Sequence, residues 1–402
     1  MLISEENVKN AEVAQKSARK GLLPTLDLSL SRYYTYGDSY SKTQAGVATD
    51  IDDNLGRSDA FQIAVNYTVF DGFRDISSYK SSKAQIESSR AAFRAEREAL
   101  AAKVLNAYFE AVHAKSASAL SDSNLQVSRA RRELFQNKLD AGSVTRLDYL
   151  SAEMDFKSDS AANLSTKSQL ASAIRSLDEL LGGNVISDAR DLPDSVAVER
   201  NLYWLTPEGL LEAKQRAVEN NAELAAARAQ MNYAQIHRQG SSSSLYPKLN
   251  LQGSWNATAS EADKGNPEKS NSQYFRIGAD LTWNLFNGFA DNATVETAKI
   301  AERSAELQVE NVRLNVETNV ANAVESHSRA LESLEVAEGN DSLARELLQL
   351  GEERLKAGRI TAFEFREMQS QWRSVREALL SAAVTARKAQ IQVELLTGEI
   401  LK

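Results

Sequence analysis

The sequence predicts a mainly α-helical protein with a small β part, built as two copies of one unit around very long helices. Three observations predict it: landmarks that recur at one offset, a stretch of 68 residues without Pro or Gly, and four segments that alternate apolar and polar residues.

The repeat organises the rest, because self-similarity decides architecture. Phe70-Asp71-Gly72-Phe73 returns as Phe286-Asn287-Gly288-Phe289, and Leu139-Asp140-Ala141-Gly142 as Leu355-Lys356-Ala357-Gly358. Leu180-Leu181-Gly182 returns as Leu396-Thr397-Gly398. All three lie 216 positions apart, and Thr145 and Asp148 match Thr361 and Glu364 at the same offset. Upstream, Leu23-Pro24-Thr25-Leu26 resembles Tyr246-Pro247-Lys248-Leu249 at an offset of 223. The segment between these anchors is therefore seven residues shorter in the second copy, a change that belongs in a loop. The first repeat covers 1–182, a linker 183–206, and the second repeat 207–398. The second copy opens with a helical lead-in from Pro207 to about Glu223 that has no counterpart before Met1. The first copy is thus expected to begin mid-helix, with the native start and any export signal upstream.

Strands are expected at about 24–36, 58–70, 247–258 and 273–286. Leu26, Leu28 and Leu30 oppose Asp27, Ser29 and Ser31; Phe275, Ile277 and Leu281 oppose Arg276, Asp280 and Thr282. This is period two with one apolar face. Each run is long enough to cross a bilayer at a tilt. The polar stretches Gly37–Arg57 and Ser260–Ser272 read as loops. Tyr33, Tyr34, Tyr36, Trp255 and Trp283 near strand ends suit an interfacial girdle. Two amphipathic hairpins on a soluble core remain the alternative.

The Pro- and Gly-free stretch from Arg74 to Ala141 gives a helix of roughly 100 Å at ~1.5 Å per residue. Its copy runs over 290–357, interrupted only by Gly339 and Gly351. Such helices hold by lateral packing of apolar stripes, coiled-coil fashion. Tight turns at 141–145 and 357–361 lead into return helices at 146–181 and 362–396.

Composition excludes several classes. A net charge of −8 with no basic cluster argues against nucleic acid. The absence of cysteine removes disulfides, thiolate metal sites and an N-terminal lipidated Cys. His113, His237 and His327 are scattered, and no metal-ligand spacing, phosphate loop or nucleophile motif is present, so neither a cofactor nor an enzyme is expected.

Two strand pairs feeding very long helices resemble the TolC-like outer-membrane channel family. The Leu-Pro-x-Leu strand start, the Phe-x-Gly-Phe strand exit, the Ala-Gly helical tip and the Leu-x-Gly repeat end carry the resemblance, over roughly 1–398. It implies a homotrimer whose four strands per protomer form a twelve-stranded transmembrane β-barrel, continued by a long α-helical coiled-coil barrel. It implies residence in the outer membrane of a Gram-negative bacterium, in contact with its lipid, with a large periplasmic part. The function implied is the exit duct of a tripartite efflux pump or type I secretion system, working with a periplasmic adaptor (membrane fusion) protein and an inner-membrane transporter. A soluble helical-repeat scaffold without a transport role is the competing reading. The resemblance places adaptor contacts at Ala141, Gly142, Ser143, Ala357, Gly358 and Arg359, although both glycines also read as plain helix C-caps. It places a pore constriction at Glu364 and Glu367, although Thr361-x-x-Glu364 is equally a capping box. A closed-state lock would draw on Asp148 with Arg146 or Arg359, since Ile360 stands where the family often carries a basic residue.

Overall fold

The computed structural model describes residues 2–42, 48–183, 192–262, 269–357 and 359–401. In chain order these form α1 (Leu2–Ala18), β1 (Thr25–Lys42), β2 (Ala48–Phe70), α2 (Arg74–Asp140), α3 (Arg146–Leu180), α4 (Pro207–Asn220), α5 (Ala222–Ser241), β3 (Lys248–Ala262), β4 (Lys269–Thr282), α6 (Ala290–Lys356) and α7 (Ala362–Leu396). Adding 216 to the bounds of α2 and α3 gives those of α6 and α7; adding 223 to the first residue of β1 gives that of β3. Two compact units divide the chain: one of Leu2–Ala91 and Ala226–Val309, the other of Ala92–Ala225 and Glu310–Lys402. The units cut across the repeats, because each draws on both copies.

The first unit holds one antiparallel sheet in the order β1-β2-β3-β4. Its strands run further than the sequence pattern suggests. Tyr36 pairs with Leu55 and Gly37 with Asn54, so much of the polar stretch expected as a loop is paired. Ladder hydrogen bonds need only backbone groups, so polar arms zip up as readily as apolar ones. The last strand is shorter than expected, ending at Thr282 and not at 286. Thr282 pairs with Lys248, the first residue of β3, and beyond it the edge strand has no neighbour to bond.

Each copy leaves the sheet through the same strained corner. Gly72 and Gly288 have φ of 73° and 69°, and the phenylalanines after them, Phe73 and Phe289, have φ of 68° and 66°. A left-handed conformation costs a residue with a Cβ about 1–2 kcal/mol. Edge-to-face contacts offset it: Phe70 with Phe73 at 5.2 Å and Phe286 with Phe289 at 5.4 Å between ring centres. Such pairs contribute about 0.5–1.5 kcal/mol. The Asp71 carboxylate then accepts from the Asp75 N–H at 2.9 Å, and Asn287 does the same for Asp291 at 3.4 Å, holding each long helix's first turn.

The second unit is packed along a seam. On α6, Val316, Val320, Ala323, His327, Ala330, Leu334, Asp341 and Ala344 are buried, at steps of three, four or seven. That is a heptad pattern. Neither Gly339 nor Gly351 breaks α6. At Gly351 an added Cβ would lie 2.6 Å from Met368 Sδ, so this glycine lets α7 approach. The lead-in expected from Pro207 to about Glu223 is α4, which ends at Asn220; Asn221 (φ −59°, ψ 125°) accepts from the Leu224 N–H at 3.0 Å with its side chain and starts α5. The linker is no loose tether. Leu192 is buried with Ala111, Val112 and Leu177, and Val198 packs on Ala330, Leu334 and Ala386. Trp204 donates its indole N–H to His327 Nδ1 at 3.2 Å, both side chains buried. Residues 184–191 of the linker lie outside the described residues.

The two corners make a controlled comparison. An added Cβ at Gly72 would meet Ser243 O at 2.3 Å, whereas at Gly288 it meets nothing within 4 Å. Gly288→Ala should therefore lose only the left-handed cost, about 1 kcal/mol, and Gly72→Ala clearly more. Thermal unfolding of the two variants side by side checks this; equal losses would mean the Ser243 contact yields freely.

Candidate functional site

The residues singled out by sequence lie at two helix–turn–helix connections of the second unit. At the first, Gly142 (φ 64°) reverses the chain, its N–H bonding Leu139 O at 2.9 Å while the Ser143 N–H bonds Lys138 O at 2.8 Å. This is the Schellman arrangement. The Ser143 hydroxyl also donates to Lys138 O at 3.0 Å, and Ala141 closes the last helical turn on Asn137 O. Thr145 then caps α3. Its hydroxyl accepts from the Asp148 N–H at 3.2 Å, and the Asp148 carboxylate accepts from the Thr145 N–H at 3.0 Å and its hydroxyl at 2.6 Å.

The second connection repeats the pattern. The Arg359 N–H bonds Arg354 O at 2.8 Å, and Ala357 closes on Glu353 O. Gly358 lies outside the described residues. Thr361 caps α7, and Glu364 accepts from the Thr361 N–H at 2.7 Å and its hydroxyl at 2.8 Å. Backbone and hydroxyl donors from Thr361 hold the Glu364 carboxyl below the usual glutamate range; the Thr145 hydroxyl and N–H do likewise for Asp148. Both groups stay ionised and both are occupied as caps. Glu367, one turn on, is exposed. Arg146 and Arg359 are exposed too, and among the described residues no ion pair joins either to Asp148.

An ionic network stands about two to three turns further along α3. Asp159 on α3, 4% exposed at its side chain, accepts from Arg366 at 3.1 and 3.3 Å and from Arg373 at 3.4 Å, both on α7. Asp155 takes Arg131 of α2 at 3.2 Å. The sequence reading missed this network. Its only trace was spacing, Asp155 with Asp159 and Arg366 with Arg373, since the pairing needs the register between helices. Beside it an apolar groove of about 820 Å³ is lined by Val127, Leu134 and Phe135 of α2, Leu355 of α6, and Phe365 and Trp372 of α7.

The sheet is the second candidate surface. One face is polar and cross-linked: Asn66 donates to Asp27 at 3.3 Å, Thr68 to Asn250 at 3.0 Å, and Ser29 to Gln62 at 3.4 Å. The other is apolar and exposed, with Leu26, Leu28, Leu30, Ile63, Val65, Phe275, Ile277 and Leu281 all open to the surroundings. Register sets them in rows, such as Leu28–Ile63–Trp255–Phe275. β1 and β4 each have a partner on one side only among the described residues. Among those residues no helix is long and apolar enough to cross a membrane, and no group of His, Cys, Asp or Glu is arranged to hold a metal.

Comparison with known proteins gives a consistent result. The profile of the family described as outer membrane efflux protein matches residues 2–183 and 213–399. The chain is 25% identical over 273 residues to the alkaline protease secretion protein AprF of Pseudomonas aeruginosa, covering 67% of this chain and 54% of that protein. It is 23% identical over 317 residues to the proteases secretion protein PrtF of Dickeya chrysanthemi, covering 76% and 64%. The chain thus spans less than two thirds of the length of these two relatives. Among solved structures, the CmeC outer membrane channel of Campylobacter jejuni shares its fold with a TM-score of 0.80 at 15% identity, covering 99% of this chain and 82% of that one.

The caps and the network predict different sensitivities. A carboxyl whose folded pKa is depressed contributes stability above its unfolded pKa, about 3.9 for Asp and 4.3 for Glu, and loses it as pH falls through the folded value. Hydrogen-exchange protection at the starts of α3 and α7, relative to the intrinsic rate, should accordingly hold at neutral pH and fall only below about pH 4. Asp159→Ala removes the carboxylate shared by Arg366 and Arg373, leaving Arg366 with Asp155 at 3.7 Å, and should cost about 3 kcal/mol. A loss under 1 kcal/mol in denaturant unfolding would mean that solvent already screens the network.

Proposed function

The chain belongs to the outer membrane efflux protein family, and from that membership and the geometry of the sheet we propose that it is one protomer of a passive outer-membrane exit duct. The observation that carries this is a four-stranded sheet with two unpaired edges and one exposed apolar face. Four strands cannot close on themselves, and hydrocarbon tolerates no open edge. Closure then comes from further copies. Three give twelve strands, within the range of membrane barrels. The apolar face meets lipid, and the polar face, with Asp27, Asn66, Asn250, Gln252 and Asp280, lines a wet lumen.

In this reading the sheet sits in the outer membrane of a Gram-negative bacterium, and the helices extend into the periplasm. The chain conducts and does not catalyse. A periplasmic adaptor and, through it, an inner-membrane transporter supply specificity and energy. Ala141, Gly142 and Ser143 at one turn, and Ala357, Gly358 and Arg359 at the other, are the surfaces offered to the adaptor. The neighbouring groove, with Phe135 and Trp372 on its walls, supports docking of a helical hairpin by apolar anchors. Both named relatives are protease secretion proteins, which favours protein export as cargo over small-molecule efflux.

Glu364 and Glu367 are proposed to constrict the pore. Three copies would place about six carboxylates round one axis, a ring that draws cations. Glu364 is engaged with Thr361, so Glu367 is the side chain with freedom to face the passage. Asp148 is engaged in the same way with Thr145, so a lock through Arg146 or Arg359 requires a neighbouring protomer to bring the cation.

Two measurements test the reading. In detergent the protein should run as a heat-sensitive trimer with mixed helix and strand signal; a folded, detergent-free monomer overturns it. In reconstituted bilayers the channel should be cation-selective. Glu367→Gln should reduce that selectivity and weaken block by multivalent cations, whereas Glu364→Gln, which can still cap, should change it less. Unchanged selectivity in the double variant would remove both residues from the constriction.

A further inference from the structure

The linker is fastened to a long helix by one buried polar bond. Trp204, 3% exposed, donates its indole N–H at 3.2 Å to Nδ1 of His327 on α6, which is 0% exposed. An indole N–H can only donate, so Nδ1 offers a lone pair and the single proton of the ring sits on Nε2. That nitrogen is buried too, and it has no partner among the described residues. The imidazole is therefore neutral, fixed in its tautomer, and held through one hydrogen bond.

The surroundings oppose a second proton. Burial disfavours the imidazolium, and the Arg387 guanidinium of α7 repels it, so His327 is held below the usual histidine range. Glu394, also on α7, stands 3.9 Å from Arg387 and accepts from Gln390 at 2.8 Å. On the linker side, Tyr203 donates to Glu399 at 3.3 Å, and Glu399 holds Arg216 of α4 at 2.7 Å. Arg200 of the linker pairs with Glu338 of α6 at 2.6 Å. Neither ring nitrogen of His327 bonds a carboxylate.

A proton added to the ring goes to Nδ1, where the lone pair is, and sets one N–H against another. The pair then parts, or a charge stays buried against a donor. Parting frees more than one ring. Val198 of the linker packs on Ala330, three positions from His327, and on Leu334 and Ala386. Beyond Trp204 the Leu205 N–H bonds Leu202 O at 3.2 Å, and Thr206 caps α4 through the Gly209 N–H at 3.0 Å. A Cβ added at Gly209 would lie 1.7 Å from Tyr203 O, so the turn that carries Trp204 and the start of α4 move together.

We propose that Trp204 and His327 form an acid-released latch, closed while the imidazole is neutral, that holds the linker and the start of α4 against α6. The sign follows from linkage. The open ring takes up its proton near its ordinary pKa of about 6.5, and the closed ring only at a lower pH. Closure is thus fully favoured above about pH 6.5 and is lost as pH falls through the closed-state value. One proton bound on opening multiplies the open fraction by up to about ten per pH unit. Every residue of the latch lies in the helical unit, so the inference is independent of the duct reading.

Hydrogen exchange on the full chain in detergent tests it, read at the Leu205 and Gly209 amides relative to the intrinsic rate. Protection at both should fall about tenfold between about pH 7.5 and pH 5.5. Ordinary carboxylates stay ionised over that range. Glu394 is the competitor, since burial raises its carboxyl above the usual glutamate range. Two variants separate them. His327→Gln offers Trp204 an amide oxygen and does not titrate, so its protection should match at the two pH values. Glu394→Gln should keep the fall. Equal protection of the wild type at both pH values overturns the latch. So does an undiminished fall in His327→Gln, or a fall abolished in Glu394→Gln. The wild-type and Glu394→Gln readings decide the matter even where the buried glutamine does not seat.

Discussion

Backbone hydrogen bonding at the two outer edges of the sheet is the constraint on which the proposed assembly depends. β1 and β4 each present a row of N–H and C=O groups with a partner on one side only. In water such edges are tolerated, and proteins blunt them with charge, proline or bulges. In hydrocarbon each unsatisfied group costs several kcal/mol. An exposed apolar face and two open edges on one small sheet are compatible only if other copies complete the ladder. Oligomerisation is thus a condition of the fold in its proposed setting. The helices answer a different constraint. Sixty-seven residues in α2 and again in α6 have no globular core to enclose them. They are held sideways: α6 through a heptad seam of small and branched residues, and α3 to α7 also through the pairs that Asp159 makes with Arg366 and Arg373.

Helices and turns were largely legible in the sequence, and physical locality explains why. Nothing between Arg74 and Asp140 breaks a helix, so its extent follows from composition. The caps at Thr145 and Thr361 depend on residues three positions apart, a relation that one strand of text displays. Strand limits were less legible. Side-chain alternation marks where a sheet meets apolar surroundings, but the ladder continues through Tyr36, Gly37 and Asn54 because backbone groups pair irrespective of side chain. At the other extreme, β4 stops at Thr282 because its neighbour begins at Lys248, a fact about β3 that β4 does not carry.

The same division runs through the candidate sites. Glu364 could be read as a cap or as a pore acid, and the fold engages it as a cap without deciding the second role. The Asp159 network, and the chain of ion pairs that runs across the sheet from Arg32 through Asp59, Arg57 and Glu261 to Lys269, escaped notice because their members lie from a few to more than two hundred positions apart. Residues 32, 59, 57, 261 and 269 become neighbours only once register across three strand pairs is known. Each is unremarked alone, a surface charge on a polar stretch.

The four tryptophans fall into two pairs with different surroundings. Trp204, sealed at 3% exposure against His327, and Trp372 belong to the helical unit; Trp255 and Trp283, 39% and 58% exposed, belong to the sheet unit. Intrinsic fluorescence therefore carries two separable reports from one unlabelled protein. Brominated acyl chains would quench the sheet pair and leave the helical pair bright, while the buried indole beside an imidazole should emit at shorter wavelength until the helices unpack. With no cysteine in the chain, a single introduced thiol could accept a dye against this two-channel background, so that insertion of the sheet and assembly of the helices could be timed in the same cuvette.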